Sequence, residues 1–528
     1  MRYRGIPFAQ AARRFGGSIA VLAGAAALTG CTSGPDFVRP DKPKEQGYTP
    51  ENLVPQTAAS AVSNGGAAQT FVPTEDIPGE WWKLFRSSEL NALIDEALKA
   101  NPDLDAAQAS LRRANAALYA QQGTLFPTIG ANGSVQQLRA SGVQQGGSVD
   151  TQLLYGVTTG TLNISYNLDL WGGVRRSVEA QHAQVDFQRF QLEATYLTLT
   201  SNVVVAAINL ASLRGQIAAT EAIIKIETDA LRVVESQFAL GGASRADVLA
   251  QQAVLTATQA TLPPLQKQLA QQRNQLMTLL GKPPTHDAGQ SLLLSSIKLP
   301  EELPLSLPSQ LVEQRPDVRS AEAQLHTASA NIGVAVANQL PQLTLTGMLG
   351  MASAGISTAF MPGTGIWTLG ASIAQILFDG GKLEHTKLAA VATYDKAAAQ
   401  YRSTVLLAFQ DVANALRALQ ADAETLKATV AAEQVAAASL ALVQQQYQAG
   451  SVNYLTLFNA QQTYQNALIN RVKAQAQRYS DTAALFQALG GGWWNRTDVD
   501  PASKGAPGVF NLPPVRDIKL PRGGQQGT

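Results

Sequence analysis

The chain has 528 residues, of which 45% are hydrophobic and 15% are charged, and its formal net charge is +1. This length and apolar share suffice for a buried core, but the charged fraction lies well below the ~25% usual in soluble domains. The near-neutral charge argues against a nucleic-acid groove. The mature region has no stretch of ~20 apolar residues, so no membrane-spanning helix is predicted. A membrane role would therefore require a lipid anchor or a β-barrel.

An export signal opens the chain. Four arginines between residues 2 and 14 precede a short apolar stretch over 15–27, which is the order of a secretory signal. Leu28-Thr29-Gly30-Cys31 then resembles a bacterial lipobox, so we expect cleavage after Gly30 and a diacylglycerol lipid on Cys31. The alternative is an ordinary signal peptide with a chance cysteine, although Cys31 is the only cysteine in the chain. The next residue is Thr32 rather than an aspartate, which favours the outer membrane over inner-membrane retention.

Residues 32 to about 74 are rich in Pro, Gly, Ala and Ser and lack periodicity, which is typical of an extended arm. The remainder contains an internal duplication. Asn101-Pro102-Asp103-Leu104 matches Arg315-Pro316-Asp317-Val318, 214 residues later, and Leu170-Trp171-Gly172-Gly173 matches Phe378-Asp379-Gly380-Gly381. The predicted divisions are signal peptide 1–30, N-terminal arm 31–74, first repeat 75–284, linker 285–305, second repeat 306–494 and flexible C-terminal tail 495–528.

Each repeat has the same predicted plan. A helix that begins with proline is followed by two strands, in which apolar and polar residues alternate, and then by long helices nearly free of Pro and Gly. Pro263-Pro264 predicts a kink or break, and Gly241-Gly242 and Gly450 separate consecutive helices. The predicted helices are 102–124, 174–212, 216–240, 245–280, 316–338, 382–418, 423–449 and 455–488. The predicted strands are 128–136, 161–170, 343–349 and 367–377.

This plan predicts an α+β membrane protein. Four strands cannot close a barrel, and lipid cannot satisfy open strand edges, so the sheet must be completed by other subunits. Three chains would supply twelve strands, enough to surround an aqueous lumen. The long helices leave one side of all four strands, so they would continue a transmembrane β-barrel as a long helical barrel. Trimerisation thus completes both barrels.

Several motifs together resemble the outer-membrane efflux protein family, in its lipoprotein branch of TolC/OprM-like outer-membrane factors. The resemblance covers about residues 31 to 494 and implies a homotrimeric efflux channel with no cofactor. It also implies a periplasmic adaptor and an inner-membrane resistance-nodulation-division pump as partners. The motifs are Cys31, Trp81-Trp82-Lys83-Leu84-Phe85, Asn101-Pro102-Asp103-Leu104, Phe126-Pro127, Asp169-Leu170-Trp171-Gly172-Gly173, Arg315-Pro316-Asp317-Val318, Phe378-Asp379-Gly380-Gly381 and Tyr447-Gln448-Ala449-Gly450.

No catalytic motif competes with this interpretation. The four histidines are widely spaced without metal-ligand pairing, and the chain has no nucleophile elbow, P-loop or H-E-x-x-H motif. Gly172-Gly173 and Gly380-Gly381 are interpreted as strand-to-helix turns rather than phosphate loops. Three alternatives stay open: an exit duct for secreted proteins, a structural periplasmic lipoprotein without a pore, and a lipid-anchored enzyme.

A closed state requires a gate, because a pore open at both ends would leak. We expect the helices to turn at the periplasmic tip near 213–215 and 416–423. Around the second turn, Asp411, Asn414, Arg417 and Asp422 supply polar groups that threefold symmetry would repeat into rings. The family often has an acid at the position of Asn414, so an acidic ring there is in doubt. The hypothesis pairs Arg417 with Asp411 or Asp422 of a neighbouring helix; the alternative is a solvated helix face. The loops at about 137–154 and 353–365 are predicted to lie outside the cell.

Overall fold

A computed structural model describes residues 32–45, 47–51, 54–62, 64–73, 75–141, 152–286 and 292–498. The chain divides into two compact units, each built from three segments. The sheet unit comprises residues up to Pro43, Asp103–Leu192 and Pro316–Ala408, and the aromatic unit comprises Lys44–Pro102, Glu193–Arg315 and residues from Phe409 on. Each unit takes segments from both predicted repeats, so this division differs from the predicted serial boundaries, which stay a prediction.

The elements that the proline, glycine and periodicity signals predicted occur in the predicted order, and four further short elements, α1, α5, β1 and β4, were not predicted. The helices are α1 Ser88–Ala100, α2 Pro102–Gly123, α3 Gly173–Ala239, α4 Arg245–Leu279, α5 Pro308–Gln314, α6 Pro316–Ala337, α7 Lys382–Gln448 and α8 Tyr454–Ala488. The strands are β1 Thr70–Pro73, β2 Thr128–Ser141, β3 Gln152–Leu168, β4 Glu302–Leu305, β5 Gln342–Ser353 and β6 Gly365–Ala374.

Four strands form one antiparallel sheet in the order β2-β3-β5-β6. Its register pairs Thr128 with Ser165, Leu168 with Leu343, and Gln342 with Ala374. The residues nearest to α2, α3, α6 and α7 therefore lie at one end of the sheet, as the sequence predicted. Strand β1 pairs in parallel with β4 in the aromatic unit and lies outside this sheet.

Two predicted helix turns are wrong. Helix α3 runs continuously through 213–215, and α7 runs continuously through 416–423. Gly215 is a packing site rather than a turn, because a Cβ there would lie 3.1 Å from a methyl carbon of Val472. In α7, Leu416, Leu419 and Ala423 are fully buried at helical spacing, so this segment contributes one apolar face to the core.

The chain reverses instead at the two glycine signals. Gly241, between α3 and α4, and Gly450, between α7 and α8, have φ angles of 76° and 71°, which favour glycine. The helices that follow are capped by side chains. Ser244 and Asp247 form a capping box at α4, and the side chain of Asn453 accepts a hydrogen bond from the backbone N–H of Thr456 at α8.

Pro263 and Pro264 do not break α4, which continues from Arg245 to Leu279. A proline lacks an N–H, so it deprives the carbonyl four residues earlier of its helical partner. Both prolines and those carbonyl-bearing residues, Gln259 and Ala260, are exposed. Water can therefore satisfy the carbonyls. The predicted break is wrong, whereas a kink at these prolines stays a prediction.

The aromatic unit has a core of large rings. Trp81 stacks on Phe486 with ring centroids 5.3 Å apart and contacts Trp82 and Phe85 edge-on. The hydroxyl of buried Tyr479 donates to the carbonyl of Ile297 at 3.0 Å. The Trp-Trp opening motif recognised in the sequence thus forms part of this core.

Two described helices, α3 and α7, are long and apolar enough to cross a membrane by length and composition alone, whereas the sequence analysis predicted none. The apolar window of α3 is 67% buried within the structure, and that of α7 is 22% buried. This criterion is weak evidence, because core helices of soluble proteins meet it too.

Candidate functional site

The four-stranded sheet has one apolar and one polar face. Residues directly opposite one another on neighbouring strands share a face, so the register places Ala131, Leu162, Leu349 and Trp367 together in one row. The next row of the same face contains Ile129, Ile164, Gly347 and Leu369. The rows between them point the other way and carry mostly hydroxyl and amide side chains: Thr128, Asn132, Ser134, Thr159, Thr161, Asn163, Ser165, Thr344, Thr346, Thr368 and Ser372.

The apolar face is exposed. Leu369 is 79% exposed, Trp367 75% and Ile129 71%. Soluble monomers rarely expose a contiguous apolar patch of this kind, and such a patch marks contact with a membrane or another protein. On the polar face the hydroxyls of Ser134 and Thr159 are hydrogen-bonded at 2.7 Å. This arrangement suits a wall between lipid and water.

Both outer strands of the sheet have an open edge. Among the described residues, β2 pairs only with β3 within this sheet, and β6 pairs only with β5. The outward N–H and C=O groups of both strands therefore lack strand partners. Water could satisfy them, but hydrocarbon could not, because an unpaired backbone group costs several kcal/mol in lipid.

Matching aspartates cap the two helices that leave the sheet. Asp169 Oδ1 and Oδ2 accept the N–H groups of Val174 at 3.0 Å and Arg175 at 2.9 Å, at the start of α3. Asp379 accepts the N–H groups of Gly381 at 2.9 Å and Leu383 at 2.8 Å, at the start of α7. The Leu383 hydrogen bond lowers the pKa of Asp379. The interpretation of both Gly-Gly sequences as strand-to-helix turns is confirmed.

The N-terminal arm is held against the helices of the sheet unit by a polar cluster. The nearly buried Arg176 donates to Asp36 at 2.5 Å and to Glu179 at 2.7 Å, and His326 Nε2 lies 2.8 Å from the other carboxylate oxygen of Glu179. Burial opposes ionisation of Glu179, but these hydrogen bonds outweigh it and lower its pKa. Phe37 stacks on His326 at 4.2 Å. Asp36 and Phe37 of the arm thus pack on α3 and α6.

The four predicted gate residues lie within α7, not at a turn. Asp411 Oδ2 forms an ion pair with Arg315 at 3.0 Å. Arg417 forms an ion pair with Glu51 of the arm. A cavity of about 370 Å³ in the aromatic unit is lined by Arg315, Asp411, Asn414, Asp481 and alanines of α7 and α8. Within the described part of one chain, Arg417 therefore has a different partner from those expected; its pairing across subunits is untested.

The fourth predicted residue, Asp422, interacts with Asp481 of α8. Burial, followed by the hydrogen bond and the charge of Asp481, raises the pKa of Asp422 to about 8. The positive charge of Arg478 partly offsets this rise. Two carboxyl groups this close share a proton more readily than they both ionise. The pair links α7 to α8.

Sequence reasoning missed the residue that fixes the arm to the aromatic unit. Arg478 is fully buried and donates to the carbonyls of Gly65 at 2.8 Å and Ala67 at 2.7 Å. It also donates to Thr57 Oγ1 at 3.0 Å and to the side-chain oxygen of Gln69 at 3.4 Å. Burial lowers the pKa of Arg478, and the hydrogen bonds stabilise its charged guanidinium. No local signal marks Arg478 within a Gln-rich helix.

Cys31, the predicted lipidation site, lies outside the described residues, as does most of the predicted external loop at 137–154. Among the residues that the structure describes, no group of three or more His, Cys, Asp or Glu side chains could hold a metal ion.

A family model described as "Outer membrane efflux protein" matches residues 93–282 and 307–491. The pyoverdine export outer membrane protein OpmQ of Pseudomonas putida is 29% identical over 451 residues, which cover 83% of this chain and 94% of OpmQ. The cation efflux system protein CusC of Escherichia coli K12 is 29% identical over 475 residues, covering 89% of this chain and 98% of CusC.

Solved structures show the same fold. The outer-membrane channel OprN has a TM-score of 0.78 at 28% identity, covering 88% of this chain and all of OprN. The open-state MtrE outer membrane channel of Neisseria gonorrhoeae has a TM-score of 0.76 at 27% identity, with 89% and 100% coverage. The resemblance, the outer-membrane location and the efflux function expected from the sequence are confirmed. The chain belongs to the outer membrane efflux protein family.

Proposed function

We propose that three copies of this chain form a twelve-stranded β-barrel through the outer membrane, continued by a helical barrel. The observation that carries this proposal is the amphipathic sheet, with an exposed apolar face and open edges at β2 and β6. Pairing β6 of one chain with β2 of the next would satisfy both edges, turn the apolar face to lipid and leave the polar face to line water. The matches at 93–282 and 307–491 support an origin by duplication.

In this role the protein is the passive exit duct of a tripartite efflux pump. A periplasmic adaptor and an inner-membrane resistance-nodulation-division pump would supply selection and energy, and the duct would need no cofactor and catalyse no reaction. The names of relatives refer to pyoverdine, cations and toluene. Cargo this diverse supports a duct for toxic small molecules that exerts little selection itself.

Native mass spectrometry in detergent and single-channel recording in planar bilayers test the duct together. We expect a trimer and discrete conductance steps. A stable monomer would contradict the barrel, whereas a trimer that never conducts would leave a structural lipoprotein as the better interpretation. Deletion of the gene should sensitise cells to a panel of toxic compounds.

We propose that Cys31 is the acylated mature N-terminus. Mass spectrometry of membrane-extracted protein should show residues 1–30 absent and a lipid on Cys31. An unmodified Cys31 would refute the anchor. A Cys31→Ser protein should still assemble, because burial of the apolar strand faces anchors a barrel more strongly than acyl chains do.

We propose that the described turn between β5 and β6 faces the outside of the cell, because all four helix connections lie at the opposite end of the sheet. Gly363 is suited to a tag, since its surroundings are open. Labelling of that tag on intact cells is expected. Labelling only after outer-membrane permeabilisation would reverse the topology.

We propose that Arg417 helps to close the pore, and Glu51→Ala is the matched control because Glu51 is its observed ion-pair partner. If Arg417 closes the pore by pairing with Asp411 or Asp422 of a neighbouring helix, Arg417→Ala should raise the single-channel conductance and admit large antibiotics, and Glu51→Ala should not. If its role is the observed ion pair with Glu51, both variants should behave alike. Unchanged conductance in Arg417→Ala and Asp411→Ala would place the gate elsewhere.

A further inference from the structure

The hairpin formed by α3 and α4 encloses a carboxyl group that no function assigned so far uses. Glu227 lies on α3, 14 residues before the reversal at Gly241, and is only 1% exposed. A buried glutamate is rare unless it is paired, because burial removes the water that stabilises its charge. Its surroundings therefore determine which protonation state the hairpin tolerates.

Helix α4 supplies two neutral partners. Thr258 Oγ1 donates to Glu227 Oε1 at 3.0 Å, and Gln251 Nε2 donates to the backbone carbonyl of Glu227 at 3.2 Å. The second carboxyl oxygen, Oε2, is buried and has no hydrogen-bond partner among the described residues. One neutral hydrogen bond is far less than a buried carboxylate requires.

Helices α7 and α8 form a second hairpin, and α8 is in contact with α4 in the same region. Tyr454 at the start of α8 is 8% exposed, its hydroxyl has no partner among the described residues, and it interacts electrostatically with Glu227. Gln461 lies two turns further along the same face of α8 and is also buried, and neither atom of its amide has a partner in the described structure. The interface between the hairpins thus contains several polar groups that are only partly satisfied.

No cation compensates Glu227 within the described structure. The charges that shift the pKa of neighbouring Tyr454 come from Glu227, from Tyr447 at the end of α7 and from Asp247 in the first turn of α4, none of which is positive. Burial raises the pKa of Glu227 from 4.5 to about 7, and the Thr258 hydrogen bond only partly opposes this rise. The packed hairpins therefore accommodate the protonated acid, while the carboxylate requires water.

We propose that Glu227 is a proton-dependent latch: its protonated carboxyl keeps the start of α8 packed on α3 and α4, and its ionisation favours separation of α8 from that hairpin. The latch is a property of the helices, so it can be measured without channel activity. Its consequence for a duct would be a closed arrangement that is stabilised on the acidic side of neutrality.

The direction and size of the pH effect follow from the difference between the pKa of Glu227 in the packed and separated arrangements. In the separated arrangement Glu227 reaches water and regains a pKa near 4.5, the value from which burial shifts it. Protonation thus favours packing, and the packed arrangement loses stability as pH rises from about 4.5 through 7, beyond which the effect saturates. Between pH 5 and pH 7.5 the ratio of separated to packed protein should rise about 50-fold.

Spin labels can measure this ratio in the full-length protein. Leu249 on α4 and Leu455 on α8 are both exposed, so Leu249→Cys and Leu455→Cys can carry labels in a Cys31→Ser background. The labelled chains are diluted with cysteine-free chains, so that each distance belongs to one protomer. Urea is added until about a tenth of the protein shows the longer distance at pH 5, which makes a 50-fold change visible.

At pH 7.5 most of the protein should then show the longer distance, while far-UV circular dichroism confirms that the helices persist. Glu227→Gln, which imitates the protonated acid, should keep the short distance at both pH values. The control Asp229→Asn removes an exposed acid two residues away and should retain the full pH response. An unchanged distribution in the parent protein, or an equal pH response in Glu227→Gln, would overturn the latch.

Discussion

Replacement of Arg478 should release the arm of the aromatic unit. Its guanidinium is fully buried and holds the carbonyls of Gly65 and Ala67 together with the side chains of Thr57 and Gln69. In Arg478→Ala the buried carbonyl of Gly65 and the buried side-chain oxygen of Gln69 lose their charged donor, whereas water can replace the donor at the exposed Ala67. A buried polar group left without a partner costs about 1–3 kcal/mol.

These two buried acceptors, together with the cavity left by the side chain, give an expected loss of about 3–5 kcal/mol in the local stability of the arm. A loss of 3 kcal/mol corresponds to roughly 100-fold faster opening, since 1.4 kcal/mol is a factor of ten. Arg478→Lys keeps the charge, but its compact ammonium group has only three hydrogen-bond donors. It should fall between the parent protein and Arg478→Ala.

Hydrogen exchange read by mass spectrometry measures this directly. The amides of Thr57 and Gln69 are hydrogen-bonded at 2.8 Å and 2.9 Å, so both report on arm opening. We expect their exchange to accelerate at least 100-fold in Arg478→Ala, and to stay unchanged in the control Lys473→Ala, which removes an exposed cation from the same helix. Parent-like exchange in Arg478→Ala would refute the assignment of the arm's stability to this residue.

Three further outcomes are expected. Leu369→Arg places a charge on the apolar face and should cost about 2–4 kcal/mol of barrel stability at mid-membrane depth, seen as loss of trimer on semi-native gels, whereas Thr368→Arg on the polar face should not. Asp169→Ala removes the cap of α3 and should cost about 1 kcal/mol, seen as faster amide exchange in its first turn. The raised pKa of Asp422 means that the folded state retains a proton that the unfolded chain releases. The free energy of unfolding therefore falls as pH rises from about 4 to 8. The melting temperature of Asp422→Asn should exceed that of the parent protein at pH 8 but not at pH 4.

Proline positions and apolar–polar alternation correctly predicted the helices and strands that depend on neighbouring residues in the chain. Pro102 and Pro316 begin α2 and α6 as expected, because proline suits the first helical turn. The apolar–polar alternation located the strands, although the structure extends β2 to Ser141 and starts β3 at Gln152. These signals depend on backbone geometry and on the period of a strand, which a sequence displays directly.

Signals that depend on distant contacts misled the analysis. Gly215 suggested a turn, but its lack of a side chain serves the approach of Val472, which is far away in sequence. The polar residues near 416–423 suggested a turn as well, whereas the apolar residues interleaved with them form a buried helical face. Only the partner helix distinguishes a glycine that packs from a glycine that turns.

The residues of the candidate site also divide into those whose role depends on near neighbours in the chain and those whose role depends on distant contacts. The capping role of Asp169 could be read from the Gly-Gly that follows it, since turn, cap and helix start lie within six residues. The burial of Arg478 and Glu227 could not be read from the sequence, because segments distant in the chain enclose them: the arm encloses Arg478, and α4 and α8 enclose Glu227.

The arm connects α7, which carries the four gate candidates, to α8. Tyr48 packs edge-on against Phe409 of α7 at 5.9 Å and donates to the carbonyl of Ser306, and Glu51 pairs with Arg417. Thr57, six residues after Glu51, and Gly65 hold the arm to Arg478 of α8. Movement of α7 against α8 must therefore stretch the arm or break one of these attachments. If α7 moves when the duct opens, Arg478→Ala should raise the single-channel conductance even though Arg478 lies on α8. Glu51→Ala should share this effect only if Arg417 acts through its ion pair with Glu51.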